Sequence, residues 1–143
     1  MGTPANRAAA YEALQLARRK HESDDDDAAR KMTNKSLHLF ETGEARAFLV
    51  YLEKFGVGSA IWKRMQGVLQ ANNFYEVFGC APAEAADLAS LKRMYHALSL
   101  ELHPDKNHHK LAERAFQRVN EAFAELSDPH KRAAYDRDLR QRP

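Results

Sequence analysis

The stretch His103-Pro104-Asp105-Lys106-Asn107 separates two long segments with a helical pattern of apolar residues, about 86–102 and about 110–126. Pro104 has a fixed φ and no N–H, so it cannot continue a helix, and it disfavours the helical conformation at the residue before it. The first helix is therefore predicted to end at His103. We call His103-Pro104-Asp105 the tip, because it is then presented at the end of a helical hairpin, where a packed scaffold commonly carries a recognition element.

The two segments beside the tip each carry an apolar stripe. Apolar residues recur in them at intervals of three and four, as they do on one face of an α-helix. Two such helices joined by a short turn predict an antiparallel hairpin whose facing stripes form a core. The stripes are Leu88, Leu91, Tyr95, Leu98 and Leu102 in the first helix, and Leu111, Ala115, Phe116, Val119, Ala122, Phe123 and Leu126 in the second.

Short helices are predicted on both sides of this hairpin. One covers about residues 73–78 and ends at Gly79, because glycine is favoured just after a helix. The other begins after Asp128, with this carboxylate as N-cap and Pro129 in the first helical position. Tyr135 is expected to pack the last helix back onto the scaffold formed by the other helices.

Residues 1–72 also have helical patterns, with three short amphipathic segments and a fourth apolar stripe. Thr42 is a predicted N-cap. The acidic run Asp24–Asp27 lacks the glycine and the closing glutamate of a calcium loop, so an exposed turn that caps the next helix is expected. The first helices faintly resemble one tetratricopeptide unit, without a second copy. The predicted organisation is all-α, with a helical hairpin or adaptor region at 1–56, a connecting helix at 57–72 and a four-helix domain at 73–140.

Composition narrows the functional classes. The chain has 143 residues and a net charge of +2, which argues against a dedicated nucleic-acid binder. The single cysteine, Cys80, excludes an internal disulfide framework and a thiolate zinc cluster. No apolar window approaches the length of a membrane span, and the first residues lack the pattern of a signal peptide. Membrane insertion is therefore not expected, and the default compartment is the cytosol.

Five separated motifs of this chain match the motifs of one protein family in their order and nearly in their spacing. They are Asn73-Phe74-Tyr75-Glu76-Val77-Phe78-Gly79, Leu91-Lys92-Arg93-Met94-Tyr95-His96-Ala97-Leu98, the tip with Lys106-Asn107, Phe116-Gln117-Arg118-Val119-Asn120-Glu121-Ala122-Phe123 with Leu126-Ser127-Asp128-Pro129, and Lys131-Arg132-Ala133-Ala134-Tyr135-Asp136. Together they resemble the J-domain of the DnaJ (Hsp40) co-chaperones over about residues 73–138. The resemblance implies a four-helix J-domain whose second and third helices form the long antiparallel hairpin.

The resemblance also implies a function. The chain would bind an Hsp70 chaperone and stimulate its ATP hydrolysis, with the tip against the Hsp70 ATPase domain near its interdomain linker. The chemistry would belong to the partner, so the chain is not expected to be an enzyme, and it has no phosphate loop or nucleophile motif of its own. No cofactor is implied. The residues implied for Hsp70 binding are His103, Pro104, Asp105, Lys92, Arg93, Lys106, Asn107 and Lys131.

The chain departs from the family on the exposed face of the second helix. Lys92 and Arg93 keep part of a basic patch that would dock on an acidic surface. His96, Ala97 and Glu101 stand at positions that are usually or often basic in the family. Because electrostatic steering mainly sets the association rate, we expect a weaker or more selective Hsp70 contact than a typical J-protein makes.

Three further expectations concern single sites. His103, His108 and His109 are close in sequence, but three histidines in one loop with no cysteine nearby do not predict a zinc site. Arg132 is expected to support the structure. The connection between Gly79 and Leu91 is about two residues longer than is usual in the family, which should change only the loop.

The N-terminal half weakly resembles a subgroup of subfamily B J-proteins that a tail anchors in the endoplasmic reticulum membrane, through residues 34–40 and 45–52. Two alternatives stay open, a chain in the cytosol and a chain held at the cytosolic face of that membrane by a partner or a missing tail. The N-terminal helices would recruit an unknown client or adaptor. The competing interpretation is a J-like scaffold with little Hsp70 stimulation. The intact tip favours the co-chaperone, and the thinned basic face favours the scaffold.

Overall fold

The computed structural model describes residues 2–83 and 87–142. Within those residues it contains eight α-helices and no strand, which confirms the all-α prediction. The helix predicted from about residue 86 starts at Leu88, and residue 86 itself lies outside the described residues. The helices are α1 (Pro4–Glu22), α2 (Asp26–Leu39), α3 (Gly43–Phe55), α4 (Ala60–Gln70), α5 (Phe74–Val77), α6 (Leu88–Leu102), α7 (Ala112–Ser127) and α8 (Pro129–Gln141).

The chain divides into two compact units, residues 1–63 and residues 64–143. We call them the N-terminal and the C-terminal unit. The division falls inside α4, so the second half of that helix belongs to the C-terminal unit. The finer division at 56 and 72 stays a prediction, and part of the connection from Gly79 to Leu91 lies outside the described residues.

The N-terminal unit contains α1, α2 and α3, each of which starts at a side-chain cap. Thr3, Asp25 and Thr42 accept hydrogen bonds from backbone N–H groups of the first turn, which satisfies donors that a helix start leaves unpaired. The cap at Thr42 confirms the prediction. Tyr11 is 62% exposed and lies outside the core. The core consists of Leu14, Ala17, Ala29, Ala45, Phe48 and Leu52.

Asp26 shows that the acidic run is not an exposed turn throughout. Asp25 caps α2 as predicted, but Asp26 is only 4% exposed. Its carboxylate accepts a hydrogen bond from His21 Nδ1 at 2.6 Å and one from the Val57 N–H at 2.5 Å. The other ring nitrogen of His21 lies 3.2 Å from the Tyr51 hydroxyl. One buried carboxylate therefore joins the end of α1, the start of α2 and the segment after α3.

In the C-terminal unit, α6 and α7 form the predicted antiparallel hairpin. Tyr95 stacks on Phe123 with ring centres 4.1 Å apart, and His103, further along α6, meets Phe116, which is earlier in α7, at 5.2 Å. The two helices therefore run antiparallel. The expected inward position of Leu88 was wrong, because this first residue of α6 is 44% exposed.

The last helix is packed on α5 through aromatic contacts. Asp128 and Pro129 start α8 as predicted. The hydroxyl of Tyr135 accepts a hydrogen bond from the Phe74 N–H at 2.8 Å, and the two rings stack. This contact confirms the expectation for Tyr135.

Arg132 and Tyr75 hold the same junction together. Arg132 Nε donates to the Tyr75 hydroxyl at 3.2 Å, and its Nη2 donates to the carbonyl of Pro82 at 3.1 Å. The Tyr75 hydroxyl in turn donates to the Asp136 carboxylate. The Arg132 side chain is only 19% exposed and makes these contacts inside the unit. Arg132 therefore has the supporting role that was expected of it.

The buried phenol of Tyr75 makes the junction sensitive to alkaline pH. Burial raises the pKa of Tyr75 to about 12, and its hydrogen bond to Asp136 acts in the same direction. The folded state therefore favours the protonated phenol over the ionised one. The contribution of Tyr75 to the free energy of unfolding is complete below the ordinary tyrosine pKa of 10, and it is lost as the pH rises through about 12.

We expect Tyr75→Phe to remove an ionisation step near pH 12 from an alkaline titration followed by tyrosinate absorbance. The matched control is Tyr11→Phe, at an exposed tyrosine, which should leave that step in place. A step near pH 12 that survived in the Tyr75→Phe chain would contradict this assignment.

Candidate functional site

The tip has the conformation that the proline predicts. His103 leaves the helix with φ −60° and ψ 127°, and α6 ends at Leu102. Its carbonyl then accepts hydrogen bonds from the N–H groups of Lys106 at 3.0 Å and Asn107 at 2.9 Å. These bonds close a tight turn, so the residues between them are presented in one conformation.

The imidazole of His103 is held from two sides. Its Nδ1 accepts a hydrogen bond from the Asp105 N–H at 3.1 Å, so the proton of a neutral ring is carried by Nε2. The edge of the ring meets Phe116 of α7 at an angle of 61°. His103 is therefore oriented by both helices of the hairpin, and its side chain stays 44% exposed.

Asp105 supplies the most exposed charge of the tip. Its side chain is 88% exposed, and its carboxylate lies 3.7 Å from His103 Nδ1. The Asp105 carbonyl lies 3.1 Å from His108 Nε2. The backbone at Asp105 is thus fixed on both sides while its carboxylate faces solvent, an arrangement suited to contact with another molecule.

Asn107 corrects the predicted set of contact residues. It is only 1% exposed. Its Nδ2 donates to the Glu101 carbonyl at 3.3 Å, at the end of α6, and its Oδ1 accepts from the His109 N–H at 3.1 Å. Because the amide is buried and hydrogen-bonded at both ends inside the loop, the structure favours a supporting role for Asn107 over contact with a partner.

The predicted basic residues of α6 lie beside a shallow groove. Lys92 and Arg93 are exposed and line this groove together with Tyr95, His96 and Leu100. Leu100 is 51% exposed and gives the groove an apolar floor that the sequence did not single out. The structure therefore joins the two cations to an apolar surface on the same side of α6.

The other two predicted cations are exposed but lie elsewhere. Lys106 belongs to the turn after the tip, and Lys131 lies in the first turn of α8. The backbone N–H of Lys131 donates to the N-cap Asp128 at 3.1 Å, and this bond lowers the pKa of that carboxyl. Neither lysine lines the groove on α6.

Glu101, the anion that the sequence places on this face of α6, is paired with a cation from another helix. Arg64 of α4 donates to its carboxylate through Nε at 2.5 Å and through Nη2 at 2.7 Å. Such a bidentate pair is the strongest geometry available to an arginine and a carboxylate. The expected loss of positive charge at this end of α6 is therefore offset by a residue from a different helix.

The three clustered histidines have separate local roles. His103 and His108 contact the backbone of Asp105, whereas His109 is buried and its Nδ1 accepts from the Leu111 N–H at 3.1 Å. In the part of the chain that the structure describes, no group of three or more histidine, cysteine or acidic side chains could hold a metal ion.

Residues 73–136 match the family model of the DnaJ domain. DnaJ homolog subfamily B member 14 of Xenopus laevis is 30% identical over 162 aligned residues, which cover 92% of this chain and 43% of the relative. The Mus musculus protein of the same name is 30% identical over 168 residues, with 92% and 44% covered. Chaperone protein DnaJ of Rhizobium leguminosarum is 50% identical over 66 residues, with 46% and 27% covered.

The chain thus spans less than half the length of these curated relatives. The alignments with the subfamily B proteins extend beyond the DnaJ domain into the N-terminal region. No solved structure matches the chain. Among residues 2–83 and 87–142, none of the helices is long and apolar enough to cross a membrane.

Proposed function

Residues 73–136 are a DnaJ domain, so the chain belongs to the J-domain proteins, and on that premise we propose that it is a co-chaperone that binds an Hsp70 and stimulates its ATP hydrolysis. The tip, His103-Pro104-Asp105, makes the stimulating contact. The observation that carries the proposal is the geometry of the tip, where an oriented imidazole and an 88% exposed carboxylate share one rigid turn.

The chain would act by differential binding and not by chemistry of its own. An activator that binds one conformation of its partner more tightly shifts the partner towards that conformation by the difference in binding free energy. A rigid tip suits this role, because little conformational entropy is lost when it docks. Hydrolysis itself belongs to the Hsp70, and we propose no enzymatic activity for this chain.

Docking of the partner is proposed to involve the basic side of α6. Lys92 and Arg93 are exposed cations on that side, and they would attract an acidic surface of the partner. This attraction weakens as the salt concentration rises. Lys106 and Lys131 are proposed as additional contacts. Asn107 is left out, since its side chain is buried.

The full chain should raise the steady-state ATP turnover of an Hsp70, and Asp105→Asn should remove most of this stimulation. The Asp105 side chain is 88% exposed, so the substitution removes a charge from the tip without opening the core. Turnover is measured at saturating chain with several Hsp70s, and circular dichroism checks that the variant is folded. Equal stimulation by both chains would contradict the proposed role of the tip.

A scaffold role is the second candidate, favoured by the weak charge of the α6 face at His96 and Ala97. A folded wild-type chain that binds an Hsp70 without raising its turnover would support the scaffold. We further propose that residues 1–56 form an adaptor region for a client or another protein. We place the chain in the cytosol or at the cytosolic face of the endoplasmic reticulum membrane.

A further inference from the structure

Arg64 is fixed beside α6 by a helix outside the DnaJ domain. It lies on α4, and the match to the domain begins at residue 73. Val68, one turn later, is 1% exposed and lines a cavity of about 340 Å³ together with Leu98 of α6. The carbonyl of Ala71, just after α4, accepts a hydrogen bond from Arg118 of α7 at 2.7 Å. The second half of α4 is therefore attached to the same unit as the tip.

The ion pair of Arg64 and Glu101 runs along one edge of the proposed docking face. Ala97 lines both the groove that contains Lys92 and Arg93 and the cavity that contains the ion pair. Glu101 is one helical turn after Ala97 and two residues before the tip. A charge at Glu101 therefore lies along α6 between Ala97 of the groove and the tip, where a partner that contacts both would meet it.

From this geometry we infer that Arg64 is a positioning residue for Hsp70 docking, which holds and neutralises Glu101, a conclusion that rests on the function proposed above. Unpaired, Glu101 would add a negative charge to the end of α6 that leads to the tip, one turn from Ala97 of the groove, and would repel the acidic surface that Lys92 and Arg93 attract. When Glu101 is paired with Arg64, the two opposite charges add no net charge to the docking face. Arg64 acts through Glu101 and not through its own contact with the partner, so its effect disappears when Glu101 carries no charge.

Both side chains of the pair keep access to water, since that of Arg64 is 47% exposed and that of Glu101 is 25% exposed. Water therefore replaces part of what either substitution removes. Substitutions at either position should leave the unit folded. Their consequence should be visible in the concentration of chain that is needed for half-maximal stimulation, while the maximal turnover stays the same.

The test compares Arg64→Gln, Glu101→Gln and the double variant with the wild-type full chain in Hsp70 ATP turnover. At low salt, Arg64→Gln should raise the half-maximal concentration by about threefold, in line with the loss of one partly exposed pair. The double variant should return to the wild-type value, and the differences should shrink as salt is added. The control is Arg46→Gln, which breaks the exposed Arg46–Glu41 pair of the N-terminal unit and should change nothing.

Each contrary outcome has a distinct meaning. If the wild-type chain stimulates an Hsp70 and Arg64→Gln has the same half-maximal concentration, the inference is overturned and the co-chaperone function stays intact. A double variant as weak as Arg64→Gln would also overturn it, because Arg64 would then act by direct contact. A folded wild-type chain that stimulates none of several Hsp70s would overturn the function and the inference together.

Discussion

Replacing His103 with Gln should return Hsp70 ATP turnover to its basal rate, with no stimulation by the chain at any concentration. The imidazole does two things that a glutamine cannot do together. Its Nδ1 accepts the Asp105 N–H, and its flat ring meets Phe116 at 5.2 Å. Without the ring, the side chain is no longer oriented by α7, and the turn that presents Asp105 loses one of its supports.

The measurement is steady-state ATP turnover, with binding of the variant to the same Hsp70 determined separately. His130→Gln is the matched control, since it makes the same substitution at an exposed histidine in the first turn of α8. We expect the His130 variant to stimulate like the wild type. The proposed role of the tip is wrong if His103→Gln, shown to be folded, stimulates as well as His130→Gln does.

Local chemistry explains the parts of this fold that the sequence predicts correctly. Pro104 stops α6, and the caps at Thr42 and Asp128 start α3 and α8, each through contacts within three or four residues. The apolar periodicity of α7 likewise depends only on helix geometry. Such features are encoded by neighbours in sequence, so a single chain is sufficient to predict them.

Two of the corrections concern pairs that are distant in sequence. Arg64 and Glu101 are 37 residues apart, and Asp26 and Val57 are 31 residues apart. Nothing in the local pattern of an exposed arginine or an acidic run indicates which partner the fold will bring to it. These contacts decide whether a charge is buried, paired or free, which is why the charge of the α6 face could not be predicted.

Asn107 shows a second limit, inside the candidate site, because its partners are close in sequence. Its position two residues after the tip suggested a contact residue. Its burial follows from the path of the loop, which turns the amide towards the end of α6 and the His109 N–H. A sequence motif thus identifies a candidate loop without separating its exposed residues from its buried supports.

Asp26→Ala should lower the free energy of unfolding of the N-terminal unit by about 3 kcal/mol, the usual cost of removing one partner from a buried charged network. The substitution leaves the His21 Nδ1 and the Val57 N–H without their acceptor. Both hydrogen bonds are partly buried and their acceptor is only 4% exposed, and a donor left unpaired in such a place is costly. Asp26→Asn keeps one acceptor oxygen and should have an intermediate effect.

Native-state hydrogen exchange of the amides in residues 1–63 is the appropriate measurement, because a chain with two units need not unfold in one step. Asp27→Ala is the matched control. It removes the neighbouring carboxylate, which is 92% exposed and pairs at the surface with Arg30, so its effect should stay within about 0.5 kcal/mol. Equal protection in the two variants would mean that the Asp26 network does not hold the three helices together. Selective loss of protection in Asp26→Ala, with Hsp70 stimulation retained, would show that the two units have separable roles.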